Sequence, residues 1–182
     1  RETDGLTDLN LNAGATTGIV NLLTVGVGSV LSADVSVDIT AATANVTVTN
    51  GAFGSTNTTA GNAIETNVGV LNVDTSGGNG NQFIRETDGL TDLNLNAGTT
   101  TGIVNLLTVG AGSALSADVG VDITAATANV TVTNGAFGST NTTAGNAIET
   151  SVGVLNVDTS GGDGNQFIRE TDGLTDLNLN AG

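Results

Sequence analysis

The chain contains no cysteine, proline, methionine, tryptophan, tyrosine, histidine or lysine. Its only cations are Arg1, Arg85 and Arg169, set against 18 acidic residues for a formal charge of −15. These absences exclude an imidazole base, a thiolate, an amine nucleophile and a zinc site. Nucleic-acid binding needs basic charge and usually aromatic stacking, and the sequence provides neither. An anionic membrane surface would repel such a chain. No apolar run reaches the roughly 18 residues of a transmembrane span, and no signal peptide is visible. The lack of any methionine fits an internal or processed piece of something longer. The composition therefore predicts neither an enzyme nor a bound cofactor or metal.

What remains is strongly repetitive. RETDGLTDLNLNAG begins at Arg1, Arg85 and Arg169, a constant step of 84. The chain divides into unit 1 (1–84), unit 2 (85–168) and the start of a third (169–182), expected to form one continuous solenoid. The two full units differ only at Ala15/Thr99, Val27/Ala111, Val30/Ala114, Ser36/Gly120, Asn67/Ser151 and Asn79/Asp163.

A finer beat of about 20 residues runs inside each unit. Unit 2 cuts into Gln82–Thr101, Gly102–Val121, Asp122–Gly145 and Asn146–Asn165, each opening near an isoleucine and closing on small polar residues. Locally the period is two. Val119, Val121 and Ile123 alternate with Asp118, Gly120, Asp122 and Thr124; Val130 and Val132 alternate with Asn129, Thr131 and Thr133; and Leu93, Leu95 and Ala97 alternate with Asp92, Asn94 and Asn96. One face in and one face out is the strand signature. Asn50-Gly51 and Asn134-Gly135 are turn signals. A sandwich would normally carry a Trp or Tyr anchor. A disordered chain would not combine such alternation with positive mean hydropathy. The pattern predicts an all-β, right-handed parallel β-helix with about 20 residues per coil and four coils per 84-residue repeat. At about 4.8 Å per coil, one unit would advance roughly 19 Å.

Runs such as NVTVTNGAFGSTNTTAGNAIETNVGVLNVDTSGGNG resemble the repeat regions of filamentous-haemagglutinin-like and autotransporter-type bacterial surface proteins. The resemblance covers essentially the whole chain and lies in style, without a diagnostic motif. It implies a secreted β-helical stalk with no catalytic residues in its repeats, projecting from a cell or building extracellular fibres.

Several motifs have a bland reading beside a sharper one. GGNGNQFI (Gly77–Ile84) and GGDGNQFI (Gly161–Ile168) are similar to the calcium-binding repeats-in-toxin nonapeptide, but Gln82 and Gln166 stand where its ligating Asp belongs. They read as glycine-rich corners. Thr47-Val48-Thr49 and Thr131-Val132-Thr133 occur too rarely for an ice-binding threonine array. The pairs Asp4/Asp8, Asp34/Asp38, Asp88/Asp92 and Asp118/Asp122 recur in each unit, unlike the acid and base of a polysaccharide hydrolase, and read as solvated surface. Asn45, Asn57, Asn129 and Asn141 head Asn-x-Thr sequons and read as turn and ladder residues. Each Arg beside a Glu (Glu2, Glu86, Glu170) suggests an exposed ion pair or a neighbour contact once per unit, worth little energetically.

Together these readings predict a structural extracellular repeat protein forming a stalk, fibre or filament on or outside a bacterial cell. The alternative is an adhesin passenger segment binding a host or surface glycan. No catalytic, cofactor-binding or metal residues are assigned. The expected partner is another copy, end to end, or further repeats of a longer array, with no nucleic acid and no membrane insertion.

Overall fold

The computed structural model describes residues 1–182. Nine strands follow one another: β1 (Leu11–Val27), β2 (Ile39–Asn50), β3 (Ile64–Asp74), β4 (Gln82–Glu86), β5 (Asp92–Thr108), β6 (Ile123–Val132), β7 (Ile148–Asp158), β8 (Ile168–Glu170) and β9 (Asp176–Asn180). Every pairing is parallel. Sequence neighbours pair in chain order, with β3 also beside β5 and β9 beside β7. The chain is a β-solenoid of about seven turns, as the alternating Val, Leu and Ile pattern predicts.

Its pitch along the sequence differs from the expected beat. A turn takes about 24 residues, which gives three and a half turns per 84-residue unit where four shorter ones were expected. The register shows why. Leu11 lies beside Ile39, then Thr66, Glu86 and Thr108, so the turns are unequal in length and the turn from Thr66 to Glu86 is the shortest of this column. A second column runs Leu22, Val46, Val73, Leu95, Ile123, Thr150 and Glu170. Leu95 is the counterpart of Leu11 one unit on, yet it sits in the other column. Consecutive units are therefore rotated by half a turn about the axis.

The isoleucines that open the sequence segments lie on different columns, so their spacing does not measure a turn. The boundary at Thr101/Gly102 falls inside β5, which crosses both faces through a register shift between Gly98 and Ile103. The alternation at Asp118–Val121 also misleads. Asp118, Val119 and Gly120 form bends ahead of β6, and Val119 is 76% exposed. Asp118 Oδ1 accepts the N–H of Gly120 at 2.6 Å, an Asx turn that takes the backbone off the strand path.

Inward side chains form one continuous aliphatic core, with Ile39, Ile64, Leu71, Ile84, Leu93, Leu95, Leu106, Ile123 and Ile148 fully enclosed. Phe53 and Phe137 fill the corner beside Val30 and Ala114, the one pair of differing positions that lies in the core. Packing of this kind needs volume and few polar atoms, so four phenylalanines suffice.

The corners are tight. A Cβ on Gly80 would lie 1.8 Å from the carbonyl oxygen of Gly51 in the previous turn, and Gly164 repeats this against Gly135. Gly14 has a left-handed φ of 84° but open space around it. Gly80→Ala is expected to lower stability by more than about 3 kcal/mol, since backbone must move. Gly14→Ala carries only the left-handed penalty of about 1–2 kcal/mol. Chemical denaturation of the two variants ranks them.

Candidate functional site

Two features recur in each unit and carry the polar chemistry. The first is a ladder of carboxamides on the outer face. Outward positions of β1, β2, β3 and β5 bring Asn21, Asn45, Asn72 and Asn94 into one column. Asn45 Nδ2 donates to Asn21 Oδ1 at 2.9 Å, and Asn72 Nδ2 donates to Asn45 Oδ1 at 2.8 Å. Asn105, Asn129 and Asn156 repeat this at 2.9 and 2.8 Å, with Asn178 next in register. The half-turn between units puts this second ladder on the opposite face of the solenoid.

Beside each ladder runs a shallow open groove. The larger, about 480 Å³, is bordered by Asn129, Thr131, Asn156, Asp158, Asn178 and Asn180. The smaller, about 120 Å³, follows Asn45, Asn72 and Asn94. Donors and acceptors stand there at the spacing of successive strands, about 4.8 Å. Such a surface suits a ligand rich in hydroxyls.

The second feature is a set of buried carboxyls, which the reading of the Asp pairs as solvated surface did not anticipate. Asp34 and Asp118 are exposed as expected, but their companions Asp38 and Asp122 are buried. Glu65 N–H donates to Asp38 Oδ2 at 2.7 Å, while Asp38 N–H donates to the Glu65 carbonyl at 2.8 Å. The loop before β3 closes over this pair, with Gly61 N–H donating to Glu65 Oε1 at 3.1 Å. Asp122 and Glu149 repeat the backbone contacts at 2.6 and 2.8 Å. Burial, with the adjoining glutamate carboxyl adding to it, pushes Asp38 and Asp122 up to about 7.

Glu86 is deeper still. Its Oε2 accepts the Thr66 hydroxyl at 2.6 Å, and its Oε1 accepts the N–H groups of Thr87 at 2.9 Å and Asp88 at 3.1 Å. Burial pushes it up to about 9. It is therefore not the exposed partner of Arg85. The one close Arg–Glu contact runs between turns instead, from Arg169 Nη1 to Glu149 Oε1 at 3.9 Å. Neighbouring residues of a strand point to opposite faces, which separates each Arg from the Glu that follows it.

The remaining motifs have structural places. Gln82 is buried, and its Nε2 donates to Val73 O at 3.1 Å and Thr75 Oγ1 at 3.2 Å, inside the glycine-rich corner. Thr49 and Thr133 each turn a hydroxyl back to a carbonyl of the preceding turn, at 2.7 Å to Thr24 O and Thr108 O. Of each Thr-x-Thr piece, only Thr47 and Thr131 stay exposed. Asn45 and Asn129 are ladder residues, whereas Asn57 and Asn141 close local turns onto Thr59 and Thr143 at 2.9 Å. No known family, curated protein or solved structure matches this chain.

Asp38, Asp122 and Glu86 bind protons more tightly in the folded chain than at their ordinary values of 3.8 and 4.5. Their contribution to stability is therefore fully present below about pH 4 and is lost as pH rises towards 7 for the aspartates and 9 for Glu86. The melting temperature at pH 5 should exceed that at pH 8.5 by about 5 °C or more, since about 1 kcal/mol moves Tm by about 2–4 °C in a chain of this size. Glu86→Gln should flatten the part of the profile between pH 7 and 9.

Asn45 both donates and accepts in its ladder. Asn45→Ala is expected to cost about 1–3 kcal/mol, two net hydrogen bonds of about 0.5–1.5 kcal/mol each. Asn94→Ala, at the end of that ladder, should stay within about 0.5 kcal/mol in the same denaturation experiment.

Proposed function

We propose that this chain is a segment of an extracellular structural protein, a β-solenoid stalk, fibre or filament on or outside a bacterial cell. One observation supports the reading above others. The segment Arg85–Gly98 is hydrogen-bonded to the turn before it and to the turn after it, and the same sequence recurs at 1–14 and 169–182. A unit thus supplies both surfaces needed to add the next unit, and length is gained without any new kind of contact. Parallel ladders along the axis resist extension, and the acidic exterior keeps neighbouring fibres apart.

The resemblance to filamentous-haemagglutinin-like and autotransporter-type repeats points the same way. The adhesin alternative draws on the carboxamide groove along Asn129, Asn156 and Asn178, whose chemistry suits a glycan hydroxyl pattern. Its flank lacks the aromatic platform on which sugars stack. A glycan array separates the two, since a stalk gives no specific binding.

Electron microscopy of the material in its native assembly tests the main reading. At about 4.8 Å per turn, three and a half turns advance about 17 Å, and the half-turn between units makes features on one face recur at about 34 Å. A layer line near about 4.8 Å with those two axial spacings is expected. Compact particles lacking them would overturn the fibre reading.

A further inference from the structure

Two acid pairs, Asp38 with Glu65 and Asp122 with Glu149, contain the only buried carboxyl oxygens that accept no hydrogen bond: Glu65 Oε2 and both oxygens of Glu149. All four residues are enclosed, at 2% exposure for the first pair and 1% for the second. Glu86 differs, because the Thr66 hydroxyl meets one of its oxygens and the N–H groups of Thr87 and Asp88 meet the other. Arg85 stands beside Glu65 in register yet forms no ion pair with it. Arg169 Nη1 reaches Glu149 Oε1 only at 3.9 Å, beyond hydrogen-bond length.

Further oxygens converge on each pair beneath the loop that leads into β3 or β7. The Asp38 and Glu65 carboxyls lie against each other, and the Ser32 hydroxyl lies against Asp38. That hydroxyl also donates to the Asp34 carbonyl at 3.2 Å. Gly61, in the loop, has a left-handed φ of 81°; its N–H donates to Glu65 Oε1 at 3.1 Å, and a Cβ there would come 3.2 Å from Asp34 O. Unit 2 repeats the arrangement. Ser116 lies against Asp122 and donates to Asp118 O at 3.3 Å, and a Cβ on Gly145 would come 3.0 Å from that oxygen. Turns on both sides enclose each cluster. Leu11 and Leu95 N–H donate to Asp38 and Asp122 O at 2.6 and 2.7 Å, and Arg85 and Arg169 lie beyond the glutamates.

We propose that each cluster binds a hard divalent cation, calcium, once per 84-residue unit. The inference goes beyond the fibre reading and stands without it. The donors that converge are all oxygen, which selects a hard ion, and the chain holds no histidine or cysteine for a softer one. Two carboxylates balance two positive charges. Each can bind through both oxygens, and with the serine hydroxyl and the aspartate carbonyl they supply about six ligands, the lower end of what calcium takes. Magnesium keeps several waters of its own, for which a cluster closed by a loop leaves little room.

A proton shared between the two carboxyls is a simpler neutraliser, but it serves one oxygen. Glu149 has two without hydrogen bonds, and a bridging cation meets both while removing the repulsion between adjoining carboxylates. The exposed acids offer no such enclosure. Asp34 and Asp118 turn their carboxyls onto the N–H groups of Ser36 and Gly120 instead. A bound ion would also fasten the loop 55–63 to β2 and β3, because its ligands come from both strand ends and from the bend at Asp34. In a chelating buffer the pairs are held by protons, which is the condition for the pH profile above.

The 182-residue chain, stripped with a chelator and titrated with calcium chloride in a calorimeter, provides the test. One ion per full unit is expected, with magnesium chloride binding at least about tenfold more weakly. Calcium at about a hundredfold above its Kd should raise the melting temperature by about 5 °C or more. Glu65→Gln should remove the ion of unit 1 alone, and Glu65→Gln with Glu149→Gln should abolish binding. Neither variant should melt below the natural chain in chelator, which shows that the fold is kept. Ser32→Ala removes a ligand and no charge, and should weaken the unit 1 ion at least about tenfold. Asp163→Asn, which gives unit 2 the residue that unit 1 carries at Asn79, should retain both ions.

Absence of calcium heat together with an unchanged melting temperature would overturn the proposal. So would binding that magnesium matches, or binding that survives both glutamine substitutions, since the ions would then belong to the exposed acids. The axial spacings of the native material, which test the fibre reading, are independent of each of these results.

Discussion

Each turn of this solenoid is held by backbone hydrogen bonds to the turn below and the turn above, and every other feature must accommodate that ladder. Parallel pairing demands that residues of successive turns stay in register along the faces. The faces are therefore nearly constant, while the chain between them varies: Leu11 to Ile39 is a long turn and Thr66 to Glu86 a short one. Excess chain has to leave the ladder between strands and return to it. Asx turns at Asp34 and Asp118, the Asn57–Thr59 turn and the glycine corner at Gly80 do this without leaving backbone groups stranded. Where a corner of one turn sits on a corner of the last, only hydrogen fits at Cα, so glycine at such places is a packing requirement.

The half-integral winding has a geometric consequence that composition alone would not suggest. A repeat that closed after whole turns would stack all its copies of a residue on one face. Here Leu11 and Leu95 stand in different columns, and so do the two asparagine ladders. A near-identical unit thus meets its neighbour half a turn out of phase, with the same strand serving both faces in alternate units. The offset is visible in β5, which carries Leu95 in one column and Thr108 in the other, with a register shift between Gly98 and Ile103. It also explains why core positions must tolerate either neighbour. Aliphatic side chains of similar size meet that demand better than shaped aromatic pairs, and the four phenylalanines stay at corners and strand starts rather than mid-face.

Much of this was legible in the residues. Alternation at Leu93, Leu95 and Ala97 placed those side chains inward, and the 84-residue period placed all copies in one solenoid. The turn length was not legible, because an isoleucine beat cannot tell a new turn from the second face of the same turn. Asp118–Val121 alternated like a strand, but an aspartate side chain captured the backbone first. The asparagine ladder was half visible. Asn45 and Asn129 read as ladder residues, yet their partners lie 24 and 27 residues away, and only the true register joins them. The buried carboxyls were the clearest miss. Asp38 reads as half of a surface pair with Asp34, and nothing local in the sequence marks the loop that closes over it. The one available signal was that Ile39 follows at the start of a regular strand, where the flanking residue is commonly covered by the turn above.

Those carboxyls show how a chain with so few cations manages its charge. With three arginines for 18 acids, pairing every buried carboxylate with a cation is impossible. Asp38, Asp122 and Glu86 are instead met by backbone N–H groups, a threonine hydroxyl or another carboxyl. Backbone amides favour the charged form and desolvation the neutral one, and here desolvation prevails. These three acids are therefore held partly as neutral hydrogen-bonding groups, Glu65 and Glu149 are buried beside two of them, and the other acids are exposed or half-buried. Such a division lets identical units be added along the axis. The partners cross the unit boundary with little call on cations: Glu86 of unit 2 takes the Thr66 hydroxyl of unit 1, and only Arg169, which opens the next unit, comes within 3.9 Å of a buried glutamate, Glu149.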